Sequence, residues 1–259
     1  MSELLLTQEG PVARLSLNRP ELSNAFNDHL ISDLTALLQK LDADDSVRVV
    51  ILSGQGKHFC AGADLNWMRS MASYSEEDNR ADAARLALLM RTLNDLSKPT
   101  IARCQGAAFG GGVGLLACCD MVVASDQSLF CLSEVRLGLT PATISPFVID
   151  AIGARQARRY FQTAERFDST RARELGLVSE IATDDSLDMV VDGLVRHLLS
   201  GGPVAQKDAK QLISDVSHST DQDACRDMTI DMIARQRVSP EGQDGLSAFL
   251  NKQKPGWTS

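Results

Sequence analysis

The stretch GAAFGGGVGLLACCD, Gly106 to Asp120, places three consecutive glycines where a strand-like run gives way to a helix-like one. Glycines at the start of a helix leave unpaired N–H groups uncovered by side chains, which suits a phosphate or a developing oxyanion. Gly112 to Ala117 formally fits the dinucleotide pattern G-x-G-x-x-A, with Glu134 further along. However, Gln105 to Gly111 separate that glycine from the end of the strand, and the next strand ends near Asp126 rather than at Glu134, which argues against a nucleotide fold. No Gly-Lys-Ser/Thr follows, so a P-loop is excluded. Close helix packing explains one or two glycines but not a run of three. A second loop of the same kind, HFCAGADL, His58 to Leu65, also links an apolar strand to a helix-like segment. Two such loops can each offer one backbone N–H to a single oxygen, the arrangement that stabilises an enolate or a tetrahedral oxyanion.

The elements that must hold these loops alternate. VARLSLN, Val12 to Asn18, has period two, and VRVVILSG, Val47 to Gly54, is a β-branched run stopped by glycine; both read as strands. Between them Leu30, Leu34, Leu37, Leu38 and Leu41 recur at helical spacing. The order repeats with a helix over 78–96, a strand over 99–104, the helix after the glycines and a strand over 121–125. That alternation predicts an α/β fold with largely parallel strands. From about Ser186 only helical segments remain, around 187–199, 203–216 and 224–238. Their apolar positions, including Leu187, Val190, Leu194, Leu198, Met228 and Met232, exceed what a short cap buries and predict subunit contacts. The expected division is a core over 1–195 and a helical assembly region over 196–259.

With 259 residues, 44% hydrophobic and 23% charged, the chain has the composition of a globular protein with a substantial core. A net charge of −8 opposes nucleic acid, and no basic stripe offsets it. The arginines at 155, 158, 159, 166, 171 and 173 fit a solvated helical face or an anchor for a small phosphate. The six cysteines include no C-x-x-C pair and read as small buried hydrophobes. His29, His197 and His218 are scattered and suggest no metal site. MSELLLTQEG carries neither a basic leader nor a long apolar stretch, so the expectation is a cytoplasmic protein without membrane association.

FCAGADL, GAAFGGGVGLLACCD, LSEVRLGL and ARELGLVSEI, in this order and at these separations, resemble the crotonase superfamily of enoyl-CoA hydratases and isomerases. The likeness runs from LNRPELSNAF to FLNKQKPGW. It implies a crotonase-like spiral of ββα units, a C-terminal helical region that builds a homotrimer or hexamer, and an acyl-CoA substrate whose coenzyme A is not a separate cofactor. It assigns the oxyanion donors to the N–H groups of Ala63 and Gly111, and places Ala61, Asp64, Leu65, Gly110 and Gly114 against the substrate. Hydratases of this kind use two glutamates. One matches Glu134; at the other position this chain has Gly114, so it departs from the pattern and retains a single carboxylate.

A lone base suits a Δ3,Δ2-enoyl-CoA isomerase, which moves one proton from C2 to C4. The segment from Gln105 to Phe167 is instead similar to the methylglutaconyl-CoA hydratase branch, which carries this glycine. A distal carboxylate on such a substrate would want a cation; Arg69, Arg85 and Arg136 are the candidates, with Arg69 foremost. His58, beside the second loop, is a reserve proton carrier, although a histidine at such a loop is more often structural. A third expectation, from a different class, is a non-catalytic homologue binding acyl-CoA or RNA, against which the charge and Glu134 both argue.

Overall fold

The computed structural model describes residues 2–71 and 73–258. Strands β1 (Leu4–Glu9) and β2 (Val12–Leu17) precede helix α1 (Asp28–Ala43); β3 (Val49–Gly54) is followed by α2 (Leu65–Met71) and α3 (Glu76–Asn94). Next come β4 (Thr100–Cys104), β5 (Ala107–Phe109) and α4 (Gly111–Cys118), then β6 (Met121–Ser125), β7 (Leu129–Cys131) and α5 (Ser145–Thr163). The chain continues through β8 (Phe167–Asp168), α6 (Ser169–Leu175), β9 (Glu180–Ala182) and α7 (Leu187–Ser200), and ends with α8 (Pro203–His218), α9 (Gln222–Val238) and α10 (Pro240–Leu250).

A long strand, a short extended step and a helix recur, as the expected ββα spiral requires. The long strands form a six-stranded sheet in the order β1-β2-β3-β4-β6-β9, with β1 antiparallel to β2 and every other pair parallel. The short steps form the layer that matters for chemistry. There β5 pairs parallel with β7 and β7 antiparallel with β8, while single bridges join Cys60 to Ala108 and Phe26 to Ala63.

Local sequence explains the main elements. The β3 run VVILSG is almost continuously buried, as a central parallel strand should be. In α1 the Asn27 side chain accepts from the Leu30 N–H at 2.6 Å, and Leu30, Ile31, Leu34, Leu38 and Leu41 form the buried face. A reciprocal Ser75–Asp78 box caps α3. Helix α4 is apolar all round and buried on nearly every residue.

The chain divides into two compact units, Met1–Leu96 with Thr100–Asp192, and Ser97–Pro99 with Gly193–Ser259. Leu187 is fully buried in the first unit, so it is not a surface position as its spacing suggested. In the second unit the Trp257 indole donates to the Ser200 carbonyl at 3.0 Å, and Ile213, Val238, Phe249 and Leu250 are exposed. Among the described residues no helix is long and apolar enough to cross a membrane, and no group of three or more His, Cys, Asp or Glu is placed to hold a metal ion.

Candidate active site

The two glycine-bearing loops are joined by backbone hydrogen bonds. Phe59 N–H donates to Gln105 O at 2.9 Å, Cys60 N–H to Ala107 O at 3.1 Å, and Phe109 N–H to Cys60 O at 2.9 Å. The buried Asn24 ties down the first loop: its amide donates to Gln55 O and His58 O at 2.9 and 2.7 Å, and its carbonyl accepts from Arg19 N–H at 2.9 Å. His58 is committed to the fold rather than left to carry protons, because its Nδ1 accepts from the Ala107 N–H at 3.0 Å. Burial, and then the charge of Lys57, lower its pKa, which keeps that nitrogen a lone-pair acceptor.

Each glycine of the triplet makes room for something different. Gly110 has φ +52°, and a Cβ there would lie 3.1 Å from Oε1 of Glu134. At Gly111 a Cβ would lie 2.6 Å from the Phe26 ring, and at Gly112 it would lie 2.4 Å from the Cys60 carbonyl oxygen. A carboxylate, an aromatic ring and the other loop's backbone therefore converge on three successive residues at the head of α4.

The Gly110 N–H is spent on Cys131 O at 2.8 Å, and its carbonyl receives the first helical bonds from Val113 and Gly114. On the other loop, Phe26 N–H donates to Gly62 O at 2.7 Å and Asp64 N–H to Phe26 O at 2.8 Å, so the pairing brackets Ala63 without using it. Among the described residues the N–H groups of Ala63 and Gly111 have no acceptor. The resemblance to the crotonase superfamily assigns the oxyanion to these same two groups, and Ala63 is exposed.

Glu134 opens a 3-10 turn, Glu134–Leu137, three residues beyond β7, and Gly138 closes the turn at φ +73°. Its Oε2 is buried and, among the described residues, has no hydrogen-bond partner. Burial raises its pKa, opposed only in part by its own backbone N–H. A carboxyl group raised in this way, lying against Gly110 at the head of α4, is suited to exchanging a proton. The thiols nearby are not: burial pushes those of Cys60 and Cys104 up to about 12, far from the thiolate a nucleophile needs.

Other expected contacts take different positions. Asp64 is buried, accepts from Asn66 and Trp67 N–H at 2.7 and 3.3 Å, and pairs with Arg19 at 2.8 Å. Its side chain caps α2 and is not free for a ligand. Burial alone would raise its pKa, but the Asn66 N–H, the Arg19 guanidinium and the Trp67 N–H together hold it low. Leu65 is exposed at the start of α2, and the Ala61 N–H donates to Ser23 O at 2.9 Å. Gly114 is buried, and a Cβ there would lie 2.4 Å from Cγ2 of Ile144 and 3.2 Å from Cε of Met90. The direction a second glutamate would take is therefore filled by core side chains.

Of the candidate cations, Arg85 pairs with the buried Asp82 at 2.5 Å and Arg136 donates to Ala164 O at 2.7 Å. Arg69 is exposed on α2 and donates to Asn66 Oδ1 at 3.1 Å. Sequence reasoning missed Phe26, which meets both loops. Its only signal was an aromatic residue just before the Asn27 cap.

Residues 7–259 match the family described as enoyl-CoA hydratase/isomerase. A solved structure of an enoyl-CoA hydratase from Shewanella pealeana superposes with a TM-score of 0.96 at 44% identity, covering 99% of this chain and 96% of that one. Enoyl-CoA hydratase AKT6-1 of Alternaria alternata is 35% identical over 96% of this chain and 82% of its own length. The 1,2-epoxyphenylacetyl-CoA isomerase of Escherichia coli is 30% identical over 100% of this chain and 99% of its own. With a match that spans both loops, Glu134 and the C-terminal helices, the chain belongs to the enoyl-CoA hydratase/isomerase family, the crotonase superfamily, and is an enzyme of the enoyl-CoA hydratase type.

Proposed function

We propose that this enzyme adds water across the double bond of an α,β-unsaturated acyl-CoA with Glu134 as its single proton-transfer group. The observation that carries this reading is the buried Oε2 of Glu134, without a hydrogen-bond partner among the described residues, on a carboxyl group whose other oxygen lies against Gly110 at the head of α4. The thioester oxygen sits between the N–H groups of Ala63 and Gly111. Glu134 takes a proton from water as the oxygen attacks C3, negative charge collects on the thioester oxygen, and Glu134 returns that proton to C2.

The substrate we infer is 3-methylglutaconyl-CoA or a related branched acyl-CoA of leucine or isoprenoid breakdown. Sequence likeness from Gln105 to Phe167 supports it. Arg69 is the cation we assign to the distal carboxylate, since Arg85 and Arg136 are engaged within the fold. The exposed apolar residues of the second unit support assembly into a homotrimer or hexamer.

A second reading, a Δ3,Δ2-enoyl-CoA isomerase, draws support from Ile144 and Met90, which fill the direction of a second acid at Gly114. Incubation with 3-methylglutaconyl-CoA, crotonyl-CoA and a 3-enoyl-CoA, followed by mass spectrometry, separates the two. Gain of one water on the branched substrate is the expected result. Isomerisation of the 3-enoyl-CoA without a mass change, and no hydration of the others, would establish the isomerase instead.

A further inference from the structure

We infer that Phe26 is a positioning residue that sets the spacing of the two oxyanion donors, a role that rests on the assignment of Ala63 and Gly111 as those donors. Its main chain and its side chain act on different loops. The main chain receives Asp64 N–H at 2.8 Å and donates to Gly62 O at 2.7 Å, which fixes the peptide planes on both sides of Ala63. The ring lies against Gly111, so close that a Cβ there would stand 2.6 Å from Cε2 and 3.0 Å from Cδ2. Phe26 is 1% exposed. It also has little freedom to shift, because Asn24 is locked on one side and the Asn27 cap starts α1 on the other.

The Cys60–Ala108 bridge holds the same two loops together, and Gly112 lets α4 approach the Cys60 carbonyl. Phe26 is therefore a second tie, one that reaches the donor residues themselves. Donors to an oxyanion work only within a few tenths of an ångström of their ideal distance. A smaller side chain at 26 leaves Gly111 unsupported and lets the donors drift apart, whereas a Cβ at 111 presses on the ring and displaces Ala63 through the main chain.

The test uses Phe26→Leu, Gly111→Ala and the double variant, each compared with wild type in turnover and in binding a conjugated dienoyl-CoA thioester. The carbonyl stretch of that probe falls in infrared difference spectra when hydrogen bonds polarise it. Each single variant is expected to lose about 100-fold in kcat, the scale of an ångström misplacement, with KM little changed and a smaller carbonyl shift. In the double variant the smaller side chain makes room for the new Cβ, and turnover and carbonyl shift recover in part. If wild type itself shows no carbonyl shift, the assignment of the donors fails. If wild type shows the shift and Phe26→Leu keeps it unchanged, the role of Phe26 is overturned. Additive losses in the double variant would likewise overturn it. Phe26→Tyr serves as the check should Phe26→Leu not fold: it keeps the ring and is expected to retain the shift, and its loss in a folded variant counts against ring contact as the cause.

Discussion

Glu134 rests against Gly110, where a Cβ would stand 3.1 Å from Oε1, while Oε2 is buried and has no hydrogen-bond partner among the described residues. Glu134→Gln tests both consequences of that placement. An amide keeps the shape but cannot take a proton from water, so kcat is expected to fall by about 10²–10⁴-fold while acyl-CoA affinity is retained. Direct titration of acyl-CoA binding beside steady-state rates checks the split.

The same substitution should stabilise the fold at neutral pH. Burial raises the Glu134 pKa above its unfolded value, so between the two values the folded chain holds more protons and stability falls as pH rises. Above both, wild type bears the full cost of a buried carboxylate, and Glu134→Gln removes it. Thermal unfolding should show a higher Tm for the variant at pH 7. That advantage should disappear below the ordinary glutamate range, where the wild-type side chain is protonated in both states. Catalysis by wild type should run the other way and rise with pH as the carboxylate forms.

Gly112→Ala should behave differently from any change at Glu134. Its Cβ would lie 2.4 Å from the Cys60 carbonyl oxygen, a main-chain atom that cannot swing aside. Overpacking of this kind costs about 1–3 kcal/mol. Stability and turnover should fall together, read as a lower urea midpoint and a lower kcat.

How much of this was legible beforehand follows from element length and from which neighbours lie far apart in sequence. Strand β2 shows alternation, β3 reads as a β-branched run ended by glycine, α1 carries a helical period, and α4 is announced by the glycines at its head. By contrast β5, β7 and β8 are two or three residues long, too short to show alternation, although they form the layer that holds the loops. Gly110, Gly111 and Gly112 were visible as a cluster, but the partners that explain them, Glu134, Phe26 and Cys60, come from three distant segments. Asp64 sits in a recognisable motif, yet nothing local announces that Arg19, 45 positions earlier, neutralises it.

Gly114 and Ile144 form a pair that a double variant can expose. A glutamate at 114 meets Ile144 at 2.4 Å and Met90 at 3.2 Å, so Gly114→Glu alone should lower Tm sharply rather than supply a second acid. Combining it with Ile144→Ala opens the space and should recover part of the loss. A double variant no more stable than Gly114→Glu would show that the two positions do not compete.

The last prediction concerns the anchor of the Ala63 loop. Arg19 and Asp64 pair at 2.8 Å with side chains 9% and 6% exposed, and Arg19 also meets Glu3 at 3.0 Å. Removing Arg19 leaves the buried Asp64 carboxylate uncompensated and costs about 3–5 kcal/mol, whereas removing Asp64 leaves Arg19 its Glu3 partner. Asp64→Ala should destabilise by a separate route, because it takes away the acceptor for the Asn66 and Trp67 N–H groups at the head of α2. Asp64→Asn keeps an acceptor there and separates the charge from the cap. The sign with pH is fixed by the direction of the shift. Asp64 titrates below its unfolded value, so its contribution is complete above the ordinary aspartate pKa and is lost as pH falls through the lower folded value. Wild type should therefore exceed Asp64→Asn in stability at pH 7, and the two unfolding curves should converge in acid. Curves that stay equally separated at every pH would show that the charge does not anchor the loop.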